Sequence, residues 1–395
     1  MRFPEFHGEW EKCKVSDLLD FYSTNSLSWD QLEYGTDNML NLHYGLIHVG
    51  LPTMVDLSKD ILPAIKKENE PKNFELCKEG DIAFADASED TNEVAKAIEF
   101  YTLEDKAVVC GLHTIHGRDK SNKTVVGYKG YAFSSTAFHH QIRRIAQGTK
   151  IYSISAKNFA ECYIGIPSKE EQTKIAKLLR LIDERIATQS KLIEDLKELK
   201  SAIIEMEYSH MTKNISPIGD FIEQTSKRNK DKAIHNVLSV SNRQGFIQQS
   251  EQFENRNVAS DDTSNYKIVE KDDFAFNPAR INVGSIARLT LFERGIVSPM
   301  YICFHTGDSL LPEYLDYYFE SKQFFTEIQK RLEGSVRQCL SFEGLCNIPL
   351  CVPAIEGQQQ IAKRLSAIAQ EIMLETDFLE LLQKQKKFLL YQMFT

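Results

Sequence analysis

The stretch PSKEEQTKIAKLL (167–179) has a second version, PAIEGQQQIAKRL (353–365), 186 residues downstream. Both open on proline, carry Glu and Gln at the same offsets, and run on through Ile-Ala-Lys. Proline followed by an acidic first turn and an apolar period of three to four is a helix start. Shifting the chain by 186 extends the match without gaps from Tyr128–Tyr208 onto Tyr314–Phe394, through pairs such as Tyr131/Tyr317, Phe138/Phe324, Gly148/Gly334 and Ser155/Ser341. With small gaps it reaches upstream: VSDLLDFYS (15–23) parallels IGDFIEQTS (218–226), EGDIAFADA (79–87) parallels KDDFAFNPA (271–279), and VVCGLHTI (108–115) parallels IVSPMYIC (296–303). A period this long, repeated twice, is a duplicated domain and not a solenoid.

Each copy ends in a long stretch, 168–208 or 354–394, with no Gly or Pro past its first turn and rich in Lys, Glu, Leu and Ile. Such composition predicts a helix spanning ~60 Å at 1.5 Å per residue. A seam runs Ile175, Leu179, Ile182, Ile186, Gln189, Ile193, Leu196, Lys200, Ile203 in the first, and Ile361, Leu365, Ile368, Ile372, Glu375, Leu379, Leu382, Lys386, Leu389 in the second. Alternating steps of four and three are coiled-coil spacing. Polar residues interrupt both seams at matching places. In an antiparallel pair about a two-fold, Glu375 would face Lys200 and Gln189 would face Lys386, a register-selecting arrangement. The bland alternative is a seam that drifts round the helix through Leu192 and Leu199, with the long polar side chains reaching water.

Ahead of each helix lies a globule, 1–166 or 209–352. Short runs such as NVLSVS, DDFAFN and IVSPMYICFH read as strands. PEYLDYYFESKQFFTEIQKRL (312–332) reads as one helix, with Leu315, Phe319, Phe325 and Ile328 on a shared face. The expected architecture is α+β: globules 1–166 and 209–352, separated by helices 167–208 and 353–395 that pair antiparallel.

The 395 residues allow two or three domains, and 42% hydrophobic with 26% charged content is ordinary for a globular protein. No apolar run approaches the ~18 residues of a membrane span. MRFPEFHGEW has no apolar core of a signal peptide, and eight cysteines without a C-x-x-C pair point to reduced thiols in a cytoplasm. No metal site is expected, because Cys339, Cys346 and Cys351 lack zinc-ligand spacing. The net charge of −9 hides a split. Residues 1–105 hold 9 Lys and Arg against 22 Asp and Glu, whereas 106–150 hold 8 against Asp119 alone.

Catalytic signatures are missing. There is no phosphate-cradling G-x-x-x-x-G-K-[ST] and no G-x-G-x-x-G after a strand. FNPAR (276–280) lacks the second proline and the stacking aromatic of an amino-methyltransferase loop. His113 and His116 of HTIH, near Asp86, Glu89 and Asp90, could be imagined in a metal nuclease, but their counterparts in the second copy are Tyr301 and Phe304.

Reading DNA needs cations for phosphates and amides or guanidinia for base edges. The first copy offers Arg118, Lys120, Asn122 and Lys123 in one loop, then Arg143 and Arg144. The second offers Lys227, Arg228 and Lys230; Asn242, Arg243 and Gln244; Asn277, Arg280 and Asn282; and Arg337. Any one cluster is commonly a solvated loop; their recurrence on both globules makes the case for DNA.

With the duplication, the Pro-x-x-E-x-Q-x-x-I-A-x-x-L helix entries, the opening RFPEFHGEWEKCKVSDL and the run NYKIVEKDDFAFNPARINVGSIA (265–287), the chain resembles the specificity (S) subunits of type I restriction-modification systems. The resemblance covers essentially the full length. It implies two target recognition domains, each reading half of a split, asymmetric double-stranded DNA site, and helices that dock methylation (M) subunits and set the gap. It implies no cofactor and no catalysis in this chain: S-adenosylmethionine, ATP and magnesium belong to the M and restriction (R) subunits. Two readings stay open beside it: a DNA-binding enzyme with its own methyltransferase or nuclease activity, and a coiled-coil scaffold without a DNA role.

Overall fold

The structure is a computed structural model describing residues 2–36, 38–209, 215–242, 244–249, 262–334 and 338–394. The chain forms two compact units, 1–190 with 377–395, and 191–376. Each contains one globule and half of each long helix.

In the first unit a five-stranded sheet runs in the order Leu19–Tyr22, Thr114–Asp119, Ile82–Ala85, Ala97–Thr102, Met54–Asp56. A four-stranded sheet runs Val108–Cys110, Leu40–Leu42, Ala64–Ile65, Leu32–Glu33. The second unit has two four-stranded sheets: Ile222–Thr225, Ile302–Thr306, Phe274–Phe276, Ile286–Arg288; and Gly245–Gln248, Val237–Ser241, Arg294–Val297, Lys267–Glu270. Shared topology shows in the rarest connection. Leu40–Leu42 pairs parallel with Val108–Cys110, as Val237–Ser241 does with Arg294–Val297. In each unit an entry strand pairs antiparallel with the strand that feeds the long helix, Glu11–Lys14 with Tyr163–Ile166 and Ile215–Pro217 with Pro349–Cys351.

The 186-residue shift also holds at the level of hydrogen bonds. Gln172 is buried at the first helix entry; its Oε1 accepts from the Val125 amide, and its Nε2 donates to the Lys123 and Pro167 carbonyls, all at 2.9 Å. Gln358 repeats this with the Leu311 amide at 2.8 Å and the Ser309 and Pro353 carbonyls at 2.9 and 2.8 Å. Tyr128 Oη donates to the Gly165 carbonyl, and Tyr314 Oη to that of Cys351. Ser135 and Ser321 cap equivalent helices, as do Ser155 and Ser341. Gly148 and Gly334 both adopt positive φ, +134° and +104°. A Cβ at Gly148 would lie 1.9 Å from the Ile151 carbonyl oxygen, which bars any other residue from that turn.

The long helices span Lys169–Ser209 and Ile355–Met393, 41 and 39 residues. Every seam position is buried or half-buried, whereas Leu192 and Leu199 are exposed, so the seam does not drift onto them. In the first unit the start of one helix (Ile175, Leu179, Ile182) shares a core with the end of the other (Leu389, Met393). In the second unit Ile204 and Tyr208 meet Ile361 and Leu365 in the same antiparallel sense. The aromatic closing each helix enters the globule of the other copy: Phe394 packs on Tyr128 at 5.8 Å, and Tyr208 on Tyr314 at 5.0 Å. At ~1.5–3 kcal/mol per buried large apolar side chain, these cores are what hold the helix ends to the globules. The seam lysines lie over matching tyrosine rings but pair with unlike acids, one in the globule and one on the first long helix. Lys200 pairs with Glu320 at 2.7 Å above the Tyr317 ring, and Lys386 pairs with Asp183 at 2.6 Å above the Tyr131 ring.

The single helix expected over 312–332 is two, Pro312–Tyr318 and Lys322–Gln329. Ser321 Oγ accepts the Phe324 amide and starts the second. The break resets the helical phase, so Phe324 is buried and Phe325 is partly exposed.

Candidate nucleic-acid interface

The first copy's basic loop does not face solvent as a free cationic hand. Arg118, on the strand Thr114–Asp119, donates Nε and Nη2 to the two carboxylate oxygens of Asp81 at 2.8 and 2.7 Å, Nη1 to Glu75 at 2.6 Å, and Nη2 to the Leu76 carbonyl. Its guanidinium also stacks over Tyr22, 4.6 Å away. Burial alone would raise the Asp81 carboxyl; hydrogen bonds from His116 and Arg118 outweigh it and hold the group below the usual range. Lys120 donates to the Ser16 carbonyl, and Lys123 pairs with Glu11. Asn122, at φ +53°, accepts from Lys169 of the long helix. Since Gln172 grips the Lys123 carbonyl, this loop braces the helix start. Its charge has a structural reason, and only Lys120 and Asn122 of the four are exposed. Arg143 and Arg144 are exposed on the last turn of Thr136–Ile145, with Arg143 bonded to Asn92 and His140.

The second copy offers more. Asn229 is fully buried and folds its loop by bonding both the amide and the carbonyl of Ile234, leaving Lys227, Arg228 and Lys230 exposed around it. Lys227 lies 3.8 Å from Glu270, and Arg228 donates to Asn265. Asn242 and Gln244 are exposed at the tip of the hairpin Val237–Ser241/Gly245–Gln248. Arg280 and Asn282 are exposed on a turn ended by Gly284 at φ +88°. A Cβ at Gly284 would stand 3.8 Å from that of Asn242, so turn and hairpin tip form one surface. Asn277 is not part of it. It is 7% exposed, its Oδ1 accepts the Ala279 amide and its own amide donates to Ser285, so it shapes the turn. Arg243 and Arg337 lie outside the described residues. Arg228 bridges to Lys267 on the far edge of the four-stranded sheet from Gly245–Gln248. At ~4.8 Å per strand, the two cationic groups are separated by roughly 15–20 Å.

The parallel strand pairing identifies what sequence reading missed in the first copy. Where the second copy leaves Val237–Ser241 for its polar hairpin, the first leaves Leu40–Leu42 for His43 and the helix Tyr44–His48. Trp29, 46% exposed, stacks on His43 at 4.4 Å, and Tyr44 meets His43, His48 and His113. The only signal in the sequence was the aromatic and imidazole density of HYGLIH, without any cation. Burial, then repulsion from His113, pulls the His43 pKa down. His113 and His116 do not share a site: His113 pairs with Asp86, and His116 with Asp81.

Residues 8–198 match a family described as the type I restriction modification DNA specificity domain. A putative type I restriction enzyme MjaX specificity subunit of Methanocaldococcus jannaschii is 23% identical over 413 residues, covering 97% of this chain and 92% of that one. The fold is similar to that of the type-I restriction-modification system S subunit from M. genitalium, with TM-score 0.58 and 15% identity over 100% of this chain and 99% of that one. A structure concerned with complex assembly and conformational transition of the type I R-M system is alike at TM-score 0.58 and 13% identity, over 98% and 97%. The family match stops inside the first long helix, and the duplication carries the same plan through the second copy. The first copy thus carries a type I restriction modification DNA specificity domain, and over its full length the chain is similar in sequence and fold to type I specificity subunits.

Proposed function

We infer that the two globules, 1–166 and 209–352, are target recognition domains that each read one half of a bipartite, asymmetric double-stranded DNA site. Helices 167–208 and 353–395 set the gap between half-sites and dock M subunits. One observation carries this reading: an identical set of hydrogen bonds anchors both globules to the helices, while the segments that follow Leu40–Leu42 and Val237–Ser241 have unrelated sequences. A shared frame with unlike tips suits two heads that choose different bases. In the second domain Asn242, Gln244, Arg280 and Asn282 are the base and phosphate readers, with Lys227, Arg228 and Lys230 positioning the duplex. Exposed apolar residues at seven-residue spacing, Leu192, Leu199 and Met206 on one helix and Leu374, Leu381 and Phe388 on the other, support M-subunit docking.

The chain itself is non-catalytic and works in the cytoplasm, with S-adenosylmethionine, ATP and magnesium held by M and R subunits. Among the described residues no helix is long and apolar enough to cross a membrane. Methylome sequencing of a host carrying the M subunit tests the reading. Replacing residues 209–352 by those of another specificity subunit is expected to change one half-site and leave the other half-site and the gap. A change in both half-sites, or in neither, would refute it. Deleting matched heptads from both helices is expected to shorten the gap alone.

A further inference from the structure

The geometry points to a buried thiophilic metal site in the first unit, formed by Cys77, Cys110 and His116 and suited to Zn²⁺. The three residues come from separate segments. Cys77 is held beside the strand Val108–Cys110 by its amide, which donates to the Val108 carbonyl at 2.8 Å. His116 lies on Thr114–Asp119 of the other sheet. Cys77 and Cys110 are 6% and 2% exposed, and His116 is 0%. One ligand atom from each lies within 4.8 Å of the other two.

Three observations favour an ion over a plain core. First, the sulfurs are 3.6 Å apart. Two sulfurs bound at ~2.3 Å to a tetrahedral zinc ion stand ~3.8 Å apart, so the pair is already spaced for it, and closing the imidazole needs a shift of about 1 Å. Second, His116 has one nitrogen engaged and one free. Nε2 bonds Asp81 Oδ2 at 2.8 Å, while Nδ1 is buried without a hydrogen-bond partner. A metal-bound histidine has the same division, one nitrogen on a carboxylate that fixes its tautomer and the other on the ion. Asp81 is itself locked by Arg118. Third, the charges close. Two thiolates balance a divalent ion, and the Asp81–Arg118 pair balances itself, so no net charge is left in an apolar core. The ion would take both sulfurs as thiolates, their protons passing to solvent on binding. The bound ion would tie the two sheets of the first globule together. The ligand set is not repeated in the second copy's sequence, where Ser298 and Phe304 stand at the counterparts of Cys110 and His116.

Those counterparts supply substitutions that the same frame already accepts. The full-length chain, reduced, stripped with EDTA and dialysed against Zn²⁺, is expected to retain about one zinc ion per molecule by elemental mass spectrometry. Substituted with Co²⁺, it is expected to show a thiolate-to-cobalt charge-transfer band. Cys110→Ser and His116→Phe are each expected to lower the bound zinc to less than about a tenth of that and to abolish the band. Zinc is expected to raise the melting temperature of the parent chain only. Circular dichroism establishes that each variant is folded, and Cys77→Ala replaces any that is not. A folded parent chain holding no zinc would overturn the proposal. So would variants that hold as much as the parent, or recovery of Cys77 and Cys110 as a disulfide in the metal-free chain that zinc does not prevent.

Discussion

Replacing Gln172 with leucine keeps the side-chain volume but removes three hydrogen bonds of 2.9 Å at once. The Val125 amide and the Lys123 and Pro167 carbonyls lose their partner. A buried polar group left unmet costs ~1–3 kcal/mol. Val125 and Lys123 are half-buried and recover part of that from water, so the expected loss is about 3 kcal/mol. Spread over a unit of this size, where 1 kcal/mol moves the midpoint by roughly 2–4 °C, the first unit should melt ~6–12 °C lower. Hydrogen exchange read by mass spectrometry resolves the effect locally. Protection at Val125 should fall about 100-fold, at 1.4 kcal/mol per decade, with Leu311 unchanged. Gln358→Leu should do the reverse, exposing Leu311 and sparing Val125. If either substitution costs under ~0.5 kcal/mol, or loosens both amides equally, the shared clamp is not what joins globule to helix.

Arg280→Ala is expected to weaken DNA binding by the assembled complex and lower its log–log salt slope by about 1 without changing the melting temperature. Arg118→Ala is expected to act the other way, destabilising the first unit by ~3–5 kcal/mol through the abandoned Asp81 and Glu75, and thermal melting beside a salt titration separates the two. Glu99 is fully buried and accepts from Lys129 at 3.0 Å and from the Gly127 and Gly130 amides; burial raises its pKa, and Lys129 opposes that. Lys129→Met should therefore cost ~3–5 kcal/mol and leave a unit that loses stability as pH rises, because the uncompensated acid is tolerated only when protonated; adding Glu99→Gln should restore most of it. His43 Nδ1 accepts the Gly45 amide and caps the helix Tyr44–His48, which protonation forbids. Its pKa is depressed in the fold, so the unfolded chain binds the proton first and stability falls as pH drops below about 6.5; His43→Asn should flatten that dependence in melts at pH 7.5 and 5.5.

The features legible in the sequence are those set by local chemistry. Both long helices could be bounded to within two residues, because proline entries, a four-three seam and the lack of breakers act over short range. The break at Ser321 was hidden because its flanks are good helix formers; a serine ends one helix and caps the next only when the backbone turns there. Arg118 and Asn277 misled for a different reason. A guanidinium or an amide reads alike whether it meets a phosphate, a buried Asp81 or its own turn, and only strand register decides which. The Cys77, Cys110 and His116 cluster was invisible because its members sit on separate segments, with no spacing rule to connect them.

That division of legibility follows how the two copies diverged. The contacts that repeat at a shift of 186 are made largely to backbone: the glutamine clamps, the tyrosine hydroxyls on carbonyls, the serine caps. Backbone groups survive substitution of their neighbours, so such a frame tolerates change around it. The networks that do not repeat are made between side chains. Asp81–His116–Arg118, Glu99–Lys129 and Arg2–Glu171 occur in the first copy, and Arg288 with Asp272, Glu313 and Asp316 in the second. Each network stiffens one globule without constraining the other; Gly357 stands where the first copy has Glu171, and Leu315 where it has Lys129. A reader of an asymmetric site needs this separation. Its heads must keep one mounting while their interiors and tips change independently, and a frame bonded through the backbone permits it.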